Sequence, residues 1–235
     1  MRHEDVESTL AAIERTLSGD EEATIHGTGF WKVVAVVKRD PELVDPFASR
    51  IAAIDQQAFN RWAMVVVPLY VGTLVAVVGS ILGLTLIGVA SSMKAPLNGL
   101  TFLIGMGVLF VTLHSLAHLA VGRAVGIRVT DWFVASFGRP QPGVKIEYQS
   151  YLRASPTSRA WMHAAGTVVT KLVPFVLIPA ALAADVPDWT IWGLVIFGFV
   201  GLITDFFWSG KHGDWKKFKR EWALRESIPP TESAN

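Results

Sequence analysis

Leu113-His114-Ser115-Leu116-Ala117-His118-Leu119 lies inside an apolar run that otherwise reads as a membrane span. Histidines four residues apart share one helix face, with Cβ atoms roughly 5–6 Å apart, near enough to grip one metal ion. Ionisable groups in the hydrocarbon region are costly to bury and by default mark function. The rest of the chain is therefore searched for a third ligand, an enclosure and a reaction.

Working outward, four apolar stretches predict four spans, at about Trp62 to Ala90, Leu100 to Val121, Trp161 to Ala183 and Trp189 to Trp208. Each approaches or exceeds the roughly 20 residues that a hydrocarbon core requires. Trp62, Trp161, Trp189 and Trp208 fall at span ends, where indole rings favour the interface. Gly72, Gly79, Gly83 and Gly88 give the first span positions for close helix packing. Hydrophobic residues make up 51% of the 235 and charged residues only 17%, the balance of a small polytopic membrane protein. There is no Cys, which removes disulfides, thiolate ligands and Cys nucleophiles together.

Loop charges give the orientation. Lys94 is the one basic residue between the first two spans, and the last two are joined by Asp185 and Asp188 without Lys or Arg. The middle segment holds Arg123, Arg128, Arg139, Lys145, Arg153 and Arg159. The tail holds Lys211, Lys216, Lys217, Lys219, Arg220 and Arg225. The positive-inside rule then places both termini and the middle segment in the cytoplasm.

Three further regions complete the expected domain plan. Residues 1–60 form an N-terminal cytoplasmic or interfacial helical extension. Val6, Leu10, Ile13 and Leu17 recur at helical spacing ahead of Gly19, and Leu43, Phe47, Ile51, Ile54 and Phe59 repeat the pattern. Met1 to Asp20 lacks the basic-then-apolar order of a cleavable signal peptide. Residues 61–210 are the membrane core. Between its second and third spans, Arg128 to Phe137 and Val144 to Tyr151 read as two strands around Pro140, Pro142 and Gly143, a hairpin-like cytoplasmic element whose edge could pair with an extended peptide. Residues 211–235 are a basic tail, read as a juxtamembrane anchor rather than a nucleic-acid contact.

The second and fourth spans run outside to inside, and the third runs back. His114 and His118, Asp205 of the fourth span and His163 near the start of the third then fall in one cytoplasmic layer. Two imidazoles and one carboxylate, with a fourth position for water, make a catalytic-type zinc site for one ion. Asp214, in Gly213-Asp214-Trp215, is the fallback carboxylate, since it lies beyond the apolar run. Lys171, in the middle of the third span, could pair with an acid or bind a carbonyl group.

At this point the chain, over about residues 98–215, resembles the site-2 protease family of intramembrane zinc metalloproteases. It has a His-x-x-x-His span, a hairpin-like segment, a middle span, and a last span with an aspartate. Gly122-Arg123-Ala124-Val125-Gly126-Ile127-Arg128-Val129 resembles the exit from the family's first metal-binding helix, and Ala164-Ala165-Gly166-Thr167 is loosely similar to its Gly-containing motif. The resemblance implies zinc held by His114, His118 and Asp205, and a membrane-embedded or membrane-proximal peptide as substrate in the bilayer. The chain departs from the family pattern at Ser115, which stands where the family's His-Glu-x-x-His places its general base. A departure also precedes Asp205, where the family's Asn- and Pro-containing lead-in is absent.

Three readings follow. The first is a zinc hydrolase with its base supplied from elsewhere, Glu147 of the middle segment being the candidate. The second is a non-proteolytic relative that binds membrane segments. The third is a metal-binding membrane protein of another class, such as a permease, with His163 and His212 as added ligands. The nearly pure apolar outer halves of the spans argue against transport.

Overall fold

The computed structural model describes residues 2–20, 23–135, 142–207 and 213–226, and for 205–207 the backbone alone. Among the described residues the chain is mostly helical, with one small sheet. It divides into two compact units that are not contiguous in sequence. The first takes Met1–Val67, Gly122–Arg159 and Arg220–Asn235, and the second takes Pro68–Val121 and Ala160–Lys219. The extension, the middle segment and the end of the tail fall in one unit.

In the first unit, α1 (His3–Gly19) buries Val6, Leu10, Ile13 and Leu17, the residues its spacing sets on one face. Gly29, at φ 87°, turns the chain into α2 (Phe30–Val37), where Phe30, Val33, Val34 and Val37 are buried. α3 (Pro41–Trp62) starts where the Asp40 side chain accepts from the Glu42 amide and Pro41 supplies a preset φ. Leu43, Phe47, Ile51 and Ile54 of α3 complete the same core, each stabilising by roughly 1.5–3 kcal/mol when fully buried. Arg61 donates to the carbonyls of Leu17, Asp20 and Ala23, so a cation satisfies the end of α1.

The sheet has the order β1 (Val65–Pro68), β2 (Val129–Val134), β3 (Pro142–Ile146). β2 and β3 pair antiparallel, from Val129 opposite Ile146 to Val134 opposite Pro142. The second strand stops at Ile146, short of the expected Tyr151. Glu147 is instead the N-cap of α6 (Tyr148–Arg153). Helical winding there buries Tyr151 and Leu152 together, which alternation could not. The Arg128 amide seals the junction by donating to Ser150 Oγ at 2.9 Å.

Two buried ion clusters knit this unit across long chain separations. Glu221, with no exposed surface, takes Lys38 Nζ on Oε1 at 2.7 Å and Arg159 Nε on Oε2 at 2.8 Å. Arg159 also donates to the carbonyls of Leu152 and Ala154, and Lys38 to the Tyr151 hydroxyl. Desolvation works against ionisation of Glu221, but Lys38 and Arg159 outweigh it and hold its pKa down at about 2. The second cluster is the buried pair Lys145–Asp55, which lines a cavity of about 690 Å³ with Trp31, Phe59 and Trp62.

The second unit holds α4 (Leu69–Ala90), α5 (Leu97–Ala124), α7 (Pro156–Val176), α8 (Ile178–Ala183) and α9 (Asp188–Phe207). Among the described residues, three stretches are long and apolar enough to cross a membrane: Leu69–Ala90, Leu97–Ala124 and Pro156–Ala183. Tyr70, Leu74, Val75, Ile81 and Leu84 of α4 are exposed. A run of large apolar side chains facing outward suits lipid far better than water. α4 and α5 meet through glycine: a Cβ at Gly105 would lie 2.7 Å from the Gly83 carbonyl oxygen. Gly79 likewise has no room for a side chain beside Thr112, whereas Gly88 faces open space. Ser80 and Thr112 add a 2.8 Å hydroxyl bond between the two helices. Ile87, Phe102, Met106, Leu109, Val173, Leu177 and Leu194 form this unit's own core.

Candidate metal centre

α5 places His114 and His118 one turn apart, with ring centroids 4.8 Å apart and planes at 80°. Their Nε2 atoms converge to 3.3 Å. The third member comes from α10 (Asp214–Leu224), which begins directly after Gly213 at φ 105°. Asp214 Oδ2 lies 3.3 Å from His118 Nε2 and 3.4 Å from His114 Nε2. These three residues are the group of candidate ligands among the described residues.

The spacing can be tested against an ion. Bonds of about 2.05 Å in tetrahedral geometry set ligand atoms about 3.3 Å apart, the zinc–nitrogen and zinc–oxygen regime. All three edges of the observed triangle match that value.

Hydrogen bonding gives a second test. His118 Nδ1 lies 2.7 Å from the Met162 carbonyl oxygen, which can only accept. Nδ1 therefore carries the hydrogen, and in the neutral ring Nε2 presents a lone pair. That lone pair points at a carboxylate oxygen, also an acceptor. Two acceptors at this distance repel unless a proton or a metal ion lies between them. A backbone carbonyl that fixes the tautomer of a ligating histidine is a recurrent outer-shell device. The donor set and its spacing both fit zinc.

Asp214 is prepared as an anion. Burial alone would raise its pKa, but the facing imidazoles of His114 and His118 and the charge of Lys217 outweigh it and hold the carboxyl far below the usual range. Lys217 Nζ takes Oδ1 at 3.0 Å, leaving Oδ2 for the histidines. α7 closes the other side. A Cβ at Gly166 would collide with His118 Nε2 and lie 2.8 Å from His114 Cε1, so α7 reaches the pair only because this residue has no side chain.

The other sequence candidates fall in different places. Ser115 is buried on α5 beside His114, and Asp214, a candidate ligand, is the single carboxylate of the group among the described residues. Glu147 belongs to the first unit, its carboxylate 3.3 Å from Arg128 Nε. His163 is buried on α7 next to Met162 but is not a member of the group. Lys171 lays its amine against Gly201 of α9, about a turn from Asp205 in sequence. The side chain of Asp205 and all of His212 lie outside the described residues. The Met162 carbonyl had no sequence signal, because any residue could supply it. Lys217 carried one, an i,i+3 spacing from Asp214.

Comparison with protein-family models, with curated proteins and with solved structures finds no match.

Proposed function

We propose that this chain is a site-2-protease-like intramembrane zinc protein that receives membrane-embedded or membrane-proximal peptides, with hydrolysis slow for want of a general base. The observation that carries the reading is the triangle of His114 Nε2, His118 Nε2 and Asp214 Oδ2, with edges of 3.3–3.4 Å. Zinc bound by three protein ligands supplies Lewis acidity at a fourth, open position. The chain's own part is to aim three ligand atoms, keep His118 in one tautomer through Met162, and exclude side chains at Gly166. A proton-accepting side chain is worth roughly 10²–10⁴-fold in such reactions, and the hydroxyl of Ser115 is a poor substitute. That deficit favours, as a second reading, a non-proteolytic protein that binds membrane segments without cutting them.

The topology belongs to the same reading. α9 has 20 residues, which at about 1.5 Å each span about 30 Å and suffice for a fourth crossing. Four crossings with the basic segments inside put both termini in the cytoplasm.

The test is metal content of the detergent-purified protein, wild type beside His118→Ala, Asp214→Ala and Asp205→Ala. Near-stoichiometric zinc that is lost in the first two variants supports the centre, and the third variant decides which aspartate is the ligand. A wild type without zinc after chelator-free purification sinks it. Ser115→Glu, assayed on a transmembrane peptide, should gain cleavage if the missing base is the deficit. No gain in a zinc-loaded variant would favour the binding protein.

A further inference from the structure

The first half of α10 has two unlike sides. At 100° per residue, Lys219, Lys216 and Lys217 occupy one arc of about 160°, and Asp214, Trp215 and Phe218 share the remainder. All three lysines are exposed. On the other side, Trp215 stacks on Phe218 at 4.8 Å, and Phe218 meets Trp161 of α7 edge-on at 5.9 Å. Trp161 is half exposed and sits near the start of the apolar stretch Pro156–Ala183. Indole rings at the end of such a stretch settle at headgroup depth. The lysines beside them then lie where lipid phosphates are, in a helix whose amphipathic pattern suits the plane of the interface.

We propose that the lysine arc of α10 binds anionic phospholipid headgroups, and that this contact holds Asp214 against the histidine pair. Five consecutive positions, Trp215 to Lys219, contain three cations and no acid. Complementarity therefore favours an anionic surface. The aromatic trio, continuous with an apolar helix of the same unit, favours a bilayer over an acidic protein. Asp214 is the first residue of the helix so restrained, and a ligand that binds the seated helix better than the free one shifts the balance toward the seated form. The second half of the proposal rests on the metal-centre reading, and the lipid contact does not.

The experiment uses the full chain in nanodiscs of phosphatidylcholine alone or with one part in three phosphatidylglycerol. Zinc affinity, read by chelator competition, should be about tenfold tighter in the anionic discs, on the scale of a few basic residues near a charged surface. K216Q/K219Q, which spares Lys217 beside Asp214, should erase that difference and leave the affinity in neutral discs unchanged. Equal wild-type affinity in both discs, or a lipid effect that survives in the variant, overturns the coupling. Native mass spectrometry of metal-free protein reads the contact itself. Preferential retention of phosphatidylglycerol by wild type and not by the variant is expected, and equal retention overturns the lipid site. Retained lipid in a chain that never takes up zinc instead overturns the metal centre. A soluble acidic peptide that tightens zinc binding in neutral discs as strongly would overturn the bilayer as the occupant.

Discussion

Glu221 and Asp214 are carboxylates seven residues apart on α10, and the chain surrounds them in opposite ways. Glu221 has cations on both oxygens, Lys38 and the exposed Arg220 on Oε1 and Arg159 on Oε2, with Lys38 and Arg159 nearly as buried as it is. Its valences are closed. Asp214 has a cation on one oxygen alone, Lys217 on Oδ1, while Oδ2 faces two imidazole nitrogens, one of them fixed as an acceptor by Met162. A buried carboxylate met only by donors is a structural tie. One aimed at an imidazole lone pair has the arrangement that a bound cation would complete.

The largest effect that could break this contrast is at Glu221. Glu221→Ala strands Lys38 and Arg159 in a dry interior, a loss of about 3–5 kcal/mol, visible as a large drop in Tm of the purified protein. In metal-free protein, Asp214→Asn should barely move Tm, and equal drops for the two would erase the distinction.

Acid should act on the same tie. Glu221 holds its pKa at about 2, below the ordinary 4.5, so the unfolded chain takes up the proton first as pH falls. Its contribution is complete above about pH 4.5 and disappears as pH approaches 2, on the order of 3 kcal/mol in all. Unfolding of wild type and Glu221→Gln across that window should show a steeper acid limb in wild type, and parallel profiles would count against the tie.

Next come the converging ligands. Asp214→Asn keeps the shape and removes the charge, and zinc affinity should fall at least about hundredfold, nearly 3 kcal/mol. Gly166→Ala should weaken zinc by about tenfold through displacement of the two rings, with a shifted d–d spectrum of the cobalt-substituted protein. An unchanged spectrum would mean that α7 does not bound the site.

The histidine pair was legible because i,i+4 spacing in an apolar run is a local signal. The faces of α1 and α3 were legible for the same reason. Asp214 was harder. Judged by hydropathy it lies past the span, and nothing local says that a helix starts there and carries its first residue back to α5. Its flag was Gly213, a residue able to take a positive φ just before a helix. The Glu221 cluster left no trace at all, since Lys38 and Glu221 are 183 positions apart and an ion pair of that reach has no period. Tyr148–Arg153 misled because alternating aromatics suit a strand, and burial of Tyr151 beside Leu152 decided for helix.

The bond from His118 Nδ1 to the Met162 carbonyl also bears on speed. A histidine caught with its proton on Nε2 must move that proton or turn its ring before Nε2 can take an ion. Here the ring is already turned and its lone pair already exposed, so capture needs neither step at this ligand. Under the proposed function, loading at this one ligand would then wait on the arrival of the ion and not on rearrangement of the ring. An ion taken at Nε2 of the neutral ring would displace no proton from His118.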